Sequence, residues 1–244
     1  MHFLCGCNPP GKPPLKGIPS MKKLLIFDAY GTLFSTGTGS VDATKKILSL
    51  QSQPLSPQQF YSQWKQMHRL HMDKANESVF LPERKIFEKD LAALYQHHNI
   101  CRPWQEDVHI MLQSLLGRKL YPDVKEAVHL LRTRFRMVIG STTDTAPLLE
   151  NLAAEGLQMD AIYTSELIGK YKPHPDFYRH ILAREDCPPR DALFIGDSLA
   201  DDVFGPAAVG IDAAWVNRSN APLPPAAQPF HVIDDLRKLP ALLL

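Results

Sequence analysis

The sequence predicts an α/β fold, a doubly wound parallel sheet that carries an α-helical cap, and three observations lead to it. Apolar runs of strand length, LLIF at 24–27, RMVIG at 136–140 and ALFIG at 192–196, lack polar alternation, as strands buried on both faces do. After about residue 118 such runs alternate with helical patterns to the end of the chain, which implies parallel strands with helices on both faces. Between Ser35 and about Leu120 the strand-like runs vanish and helical patterns follow one another.

In chain order, residues 1–20 hold Gly, Pro and Lys without an apolar stretch long enough for a secretory signal, and read as a disordered extension. Met21 directly precedes the first strand and is a candidate start. SPQQFYSQWKQMHRL predicts a helix with Ser56 as N-cap, Pro57 at the first helical position and Phe60, Trp64 and Met67 on one face. LPERKIFEKDLAALYQHH repeats this grammar through Ile86, Phe87, Leu91, Leu94 and Tyr95, and a further helix follows Pro103. The expected division is a core of residues 21–35 and 118–244 with a cap of residues 36–117. TGTGS at 36–40 opens the cap, and Gly37 and Gly39 suit a hinge better than a nucleotide loop, since no GxGxxG follows the first strand. His68, His71, His97 and His98 have two readings, facing the pocket or facing water, and water is the expectation.

Composition narrows the partners. The formal net charge is +1 and no basic run is interleaved with aromatics, so nucleic acid is not expected. No apolar stretch has the length of a membrane span. Cysteines at 5, 7, 101 and 187 lack paired metal spacing, and a reduced, cytoplasmic setting is the expectation. The oligomeric state is not legible.

Chemistry collects at the strand tips. Asp28 ends the first strand and is followed at once by a turn on Gly31 and Thr32; RMVIG ends in Ser141, Thr142 and Thr143; GKYKPHP places Lys172 between a strand and a helix; ALFIG ends in Asp197, with Asp202 just beyond. In a parallel sheet these tips share one edge, where the ligand crevice lies. A carboxylate there can attack an electrophile covalently, and a lysine and a bound cation offset its repulsion of an anionic substrate. Mg²⁺ takes carboxylate oxygens of the kind Asp28, Asp197 and Asp202 supply. Singly, each residue has an ordinary explanation as a turn, a helix start or a surface lysine; together, at matching tips, they outweigh it.

The ordered set DAYGTLF, VIGST, GKYKPHPDFY and IGDSLADDVFGPAAVG resembles the four motifs of the haloacid dehalogenase-like hydrolase superfamily, from about Met21 to the C-terminus. The resemblance implies a Rossmann-like core with the cap inserted after the first motif. It assigns Asp28 as nucleophile, Thr32 to its positioning, Ser141 to the transferring group and Lys172 to charge neutralisation. Asp197 and Asp202 would hold Mg²⁺ with Asp28 and the main-chain carbonyl of Tyr30, while Thr142 and Lys65 are further substrate-binding candidates. Two subclasses compete. Tyr30 resembles the metal-independent 2-haloacid dehalogenases, where most phosphatases carry a second aspartate; the GDSxxxD form through Asp197 and Asp202 resembles the Mg²⁺-dependent members. The metal motif carries more weight, because a second carboxylate beside Asp28 is costly without a cation between them. The expected activity is hydrolysis of a small, anionic phosphorylated metabolite through an aspartyl-phosphate. The alternatives are 2-haloacid dehalogenation through an aspartyl ester and a weakly active phosphate-binding regulatory protein.

Overall fold

The computed structural model describes residues 22–51 and 55–244, so the expectations for residues 1–20 and Met21 lie outside the described residues. Strand β1 (Leu24–Phe27) opens the chain. Four helices follow: α1 (Gly39–Ser49), α2 (Pro57–Glu77), α3 (Glu83–His97) and α4 (Trp104–Gln113). Helix α2 starts where its sequence says, with Ser56 Oγ accepting from the Gln59 N–H. Next come α5 (Val124–Leu131), β2 (Arg136–Ser141), α6 (Thr145–Glu155), β3 (Ala161–Thr164), the short α7 (Ser165–Ile168) and α8 (Pro175–Arg184). Strand β4 (Ala192–Gly196) leads into a π-helical segment, Leu199–Phe204, and the short α9 (Gly205–Ala207). Strands β5 (Asp212–Val216) and β6 (His231–Ile233) and helix α10 (Lys238–Leu243) complete the order.

The six strands form one parallel sheet in the order β3-β2-β1-β4-β5-β6. The chain leaves the centre toward β3, then returns to build the other half from β4, so the switch point lies between β1 and β4. Register aligns Phe27 with Ile139 on one side and Ile195 on the other, which brings the C-terminal tips of all three central strands to one level. Alternation divides the core. Leu25 and Phe27 pack with α5, α6 and α10 residues such as Val128, Leu148 and Leu239; Leu24 and Ile26 pack with Phe177, Tyr178 and Ile181 of α8.

Helices α1–α4 bury a core of their own, including Ile47, Phe60, Trp64, Phe87, Leu94 and Met111. Polar contacts seat them on the sheet edge. Asn76 accepts from the Tyr171 N–H at 2.7 Å and donates to its carbonyl at 3.1 Å, and Arg69 donates to both oxygens of Asp201 at 2.9 and 3.1 Å. The first N–H groups of α3, from Glu83 and Arg84, donate to Asp144 at 2.6 and 3.1 Å, which satisfies a helix end and complements its dipole.

Candidate active site

The ladder itself aims Asp28: its N–H continues the strand bonding to Ile195 O at 2.8 Å, and the chain then turns on Gly31, whose φ of +97° suits only glycine. Asp28 Oδ1 accepts from Ser141 Oγ at 3.1 Å and from Lys172 Nζ at 2.7 Å. The same ammonium donates to Asp202 Oδ1 at 2.7 Å, while Asp202 Oδ2 accepts from the Ser198 N–H at 2.9 Å. Asp197 is the exposed member; its carbonyl is held by Trp215 Nε1 at 2.9 Å and its Oδ1 accepts from Thr32 Oγ1 at 3.2 Å. Two glycines make room: a Cβ at Gly196 would collide with the Asp202 carboxyl, and one at Gly31 with that of Asp197.

Carboxylate oxygens of Asp28, Asp197 and Asp202 all lie within 4.8 Å of one another. One lysine serves the three, and the imbalance registers on the acids. Burial, then repulsion from Asp28 and Asp197 against the attraction of Lys172, raises Asp202 to about 8. Loss of water and repulsion from Asp28 raise Asp197 to about 6. Burial alone would lower Lys172, but Asp202 and Asp28 outweigh it and hold its ammonium charged. A hard divalent cation with oxygen preference fits this donor set: it would relieve the same repulsion that raises the two acids.

The family model for haloacid dehalogenase-like hydrolase matches residues 22–210, which include all four motif stretches. The chain belongs to that family. Among sequence relatives, N-acylneuraminate-9-phosphatase of Rattus norvegicus is 30% identical over 148 residues, covering 58% of this chain and 60% of the relative, so the match spans about three fifths of that protein. Among solved structures, the magnesium-bound HAD-hydrolase YfnB of Bacillus subtilis superposes with a TM-score of 0.72 at 21% identity, over 91% of this chain and 99% of that one. L-2-haloacid dehalogenase from Xanthobacter autotrophicus gives 0.75 at 22% identity, over 91% and 98%. At these identities the two structures speak for the fold.

Beside the tips, this haloacid dehalogenase-like hydrolase has a cavity of about 330 Å³ between the sheet edge and the inserted helices. Tyr30, Thr142 and Thr143 line it from the core, and Trp64, Lys65, His68, Phe87 and Met111 from the helices. Lys65 therefore reaches the pocket wall, its Nζ 5.2 Å from the Tyr61 ring centre, and Thr142 Oγ1 is buried without a hydrogen-bond partner among the described residues. The Tyr30 hydroxyl accepts from Asn151 Nδ2 at 3.0 Å, and burial pushes it up to about 12, so it is a reluctant proton donor.

Thr32 donates its hydroxyl to Asp197, the second carboxylate of the cluster. One expectation needs correction. His68 and His71 do not face water: each sets its Nδ1 2.6 Å from an oxygen of the fully buried Asp90, which also accepts from Trp64 Nε1 at 3.2 Å. Burial would lower His68, but its contacts to Asp90 and Glu83 prevail and raise it to about 9. The residues missed by sequence reasoning are Asp90, Glu83, Asn151 and Arg118. Asp90 left a signal, since it falls at i+4 from Ile86 and i−4 from Leu94 on the apolar stripe of α3. Arg118, which follows the insertion, left none.

Proposed function

We propose that this hydrolase is a Mg²⁺-dependent phosphohydrolase of a small phosphorylated metabolite, with residues 36–117 as its cap and the remainder from residue 21 as its catalytic core. The observation that carries the reading is the set of three carboxylates within 4.8 Å around one lysine. The phosphatase name of the rat relative supports a phosphate ester as substrate. Asp28, Asp197 and Asp202, with the Tyr30 carbonyl, would hold the metal, which when bound supplies charge stabilisation for the phosphoryl oxygens.

The protein's own groups divide the reaction into two displacements. Asp28 Oδ1 is occupied by Ser141 and Lys172, which leaves Oδ2 to attack phosphorus. The bond to the leaving oxygen breaks as the Asp28–phosphorus bond forms, and the departing alcohol takes its proton from water. Water then attacks the aspartyl-phosphate, releasing phosphate and the free carboxylate. Ser141, the unpartnered Thr142 hydroxyl and the Lys172 ammonium hold the phosphoryl oxygens through both steps. With Tyr30 where most phosphatases have a second aspartate, esters with good leaving groups are favoured.

Tyr30 is also what favours the second reading, a metal-independent 2-haloacid dehalogenase. One experiment separates them: calorimetric titration with MgCl₂ of the wild type and Asp197→Ser, alongside phosphate release from an ester panel and chloride release from 2-chloropropionate in chelator. The expected result is Mg²⁺ binding and Mg²⁺-dependent phosphate release, both lost in Asp197→Ser. No Mg²⁺ binding together with steady chloride release would overturn the phosphohydrolase reading. Metal and ester binding without turnover would make the protein a phosphate-binding regulator instead.

A further inference from the structure

Arg118 is 9 % exposed and forms no ion pair among the described residues, although it lines the cavity beside the reaction centre. Its Nη1 donates to Thr36 O at 3.0 Å and its Nη2 reaches Ser40 Oγ at 3.5 Å, both neutral acceptors. Its Nε is buried with no hydrogen-bond partner among the described residues. The guanidinium carbon lies 5.4 Å from the Tyr30 ring centre, a stacking that offsets only part of the cost of burying an unpaired cation. The backbone fixes the residue firmly, since its N–H donates to Asn151 Oδ1 at 3.0 Å and Asn151 Nδ2 holds both Tyr30 and Leu115 O. A rigidly held, buried guanidinium that lines the cavity with no charged partner among the described residues has the chemistry to take an anion there.

We propose that Arg118 binds a carboxylate on the organic part of the substrate, so that the preferred ester carries a carboxylate at the end opposite its phosphate. The transferring phosphoryl group already has its own partners in Lys172, Ser141 and Thr142, so the Arg118 anion is a second one. The Nη hydrogens that Thr36 and Ser40 leave free lie in one plane, a fork that matches the two oxygens of a carboxylate. Lys65 adds positive charge to the cavity lining, and Arg69 is spent on Asp201 and Asp73. The opposing charge is Glu83, whose Oε1 lies 3.5 Å from His68 Nε2 and is offset by that imidazole. Stacking on Tyr30 then explains the tyrosine: it supports the arginine that selects the substrate.

The inference rests on the phosphohydrolase reading, and its test keeps the two apart. Matched esters differing only at the far carbon are the probes: 3-phosphoglycerate against glycerol 3-phosphate, and 6-phosphogluconate against sorbitol 6-phosphate. Their binding is measured calorimetrically with Mg²⁺ in an Asp28→Asn background, and their hydrolysis with Asp28 intact. Arg118 should give a preference of at least about tenfold for the carboxylated member of one or both pairs, the worth of one charged hydrogen-bonded contact. Arg118→Gln, which can still donate to Thr36 O, should bring that preference near unity, and Arg118→Lys should retain part of it. Loss of a merely structural arginine would weaken both members of a pair alike. Equal binding of both members, no binding of either, or a preference that survives Arg118→Gln overturns the proposal. Hydrolysis without preference sinks the Arg118 assignment alone, whereas preference without hydrolysis sinks the phosphohydrolase reading alone.

Discussion

The core and the inserted helices each bury a polar node beside the cavity, and the two are electrostatic opposites. At the strand tips the Lys172 ammonium lies among carboxylates; among the inserted helices the Asp90 carboxylate lies among His68, His71 and the Trp64 indole. The first node has surplus negative charge and an exposed member, Asp197, so it can still take a metal and a substrate. The second is closed, with both carboxylate oxygens occupied, and only His68 and Trp64 extend from it to the cavity. On the proposed function the difference teaches where chemistry and shape are divided: the core would supply reacting groups, and the insertion a wall whose orientation is fixed from behind by Asp90.

The comparison breaks most sharply at Asp28. Asp28→Asn keeps the side-chain shape but removes the proposed nucleophile, and turnover should fall by at least about a thousandfold while the fold is unchanged. Phosphate-release kinetics with circular dichroism check this. Near wild-type activity in a folded Asp28→Asn protein would remove the core node from the covalent role.

The closed node answers to stability first. Asp90→Ala leaves His68, His71 and Trp64 without their shared acceptor, at a cost of about 3 kcal/mol in urea unfolding. It should also bring the His68 titration, followed by NMR, down from about 9 toward its ordinary value. Because the folded-state value is the raised one, protonated His68 stabilises the native state: the contribution is full below about pH 6.5 and is lost as pH rises through 9. Wild-type stability should therefore decline across that window and Asp90→Ala should decline less. Parallel profiles for the two proteins would show that the carboxylate does not hold the imidazole charged.

The same contrast decides what could be read from the sequence. Strand tips are gathered by topology: once β1, β2 and β4 are recognised as parallel neighbours, Asp28, Ser141 and Asp197 must share an edge, whatever the side chains do. Lys172 and Asp202 follow those strands closely enough to be carried along. Helix faces meet only after packing, so neither the contact of α2 with α3 through Asp90 nor the return of Arg118 to Thr36 can be read from one segment alone. A trace was there in Trp64, His68 and His71, which fall on one face of α2 at steps of four and three, and the stripe of α3 passes through Asp90. Reading those histidines as solvated ignored that periodicity.

The smallest effect concerns the joint between the two regions, where two glycines of TGTGS have different reasons to be there. Gly37 has a φ of +49° with open space around a would-be Cβ, so its constraint is conformational; Gly39 starts α1 and a Cβ there would meet Ser114 O at 3.4 Å, an ordinary contact. Gly37→Ala should therefore cost about 1 kcal/mol through the left-handed backbone, whereas Gly39→Ala should cost less. If the segment is the hinge of cap closure, Gly37→Ala shifts kcat and KM together, because the strained joint alters the balance of open and closed forms and closure is what excludes water. Steady-state kinetics on the two variants, with urea midpoints to register the strain, separate the cases. A Gly37→Ala protein that loses stability but keeps both kinetic constants would make the segment a passive turn, and the motion would then have to pivot at the other crossing, where Arg118 ties itself to Thr36.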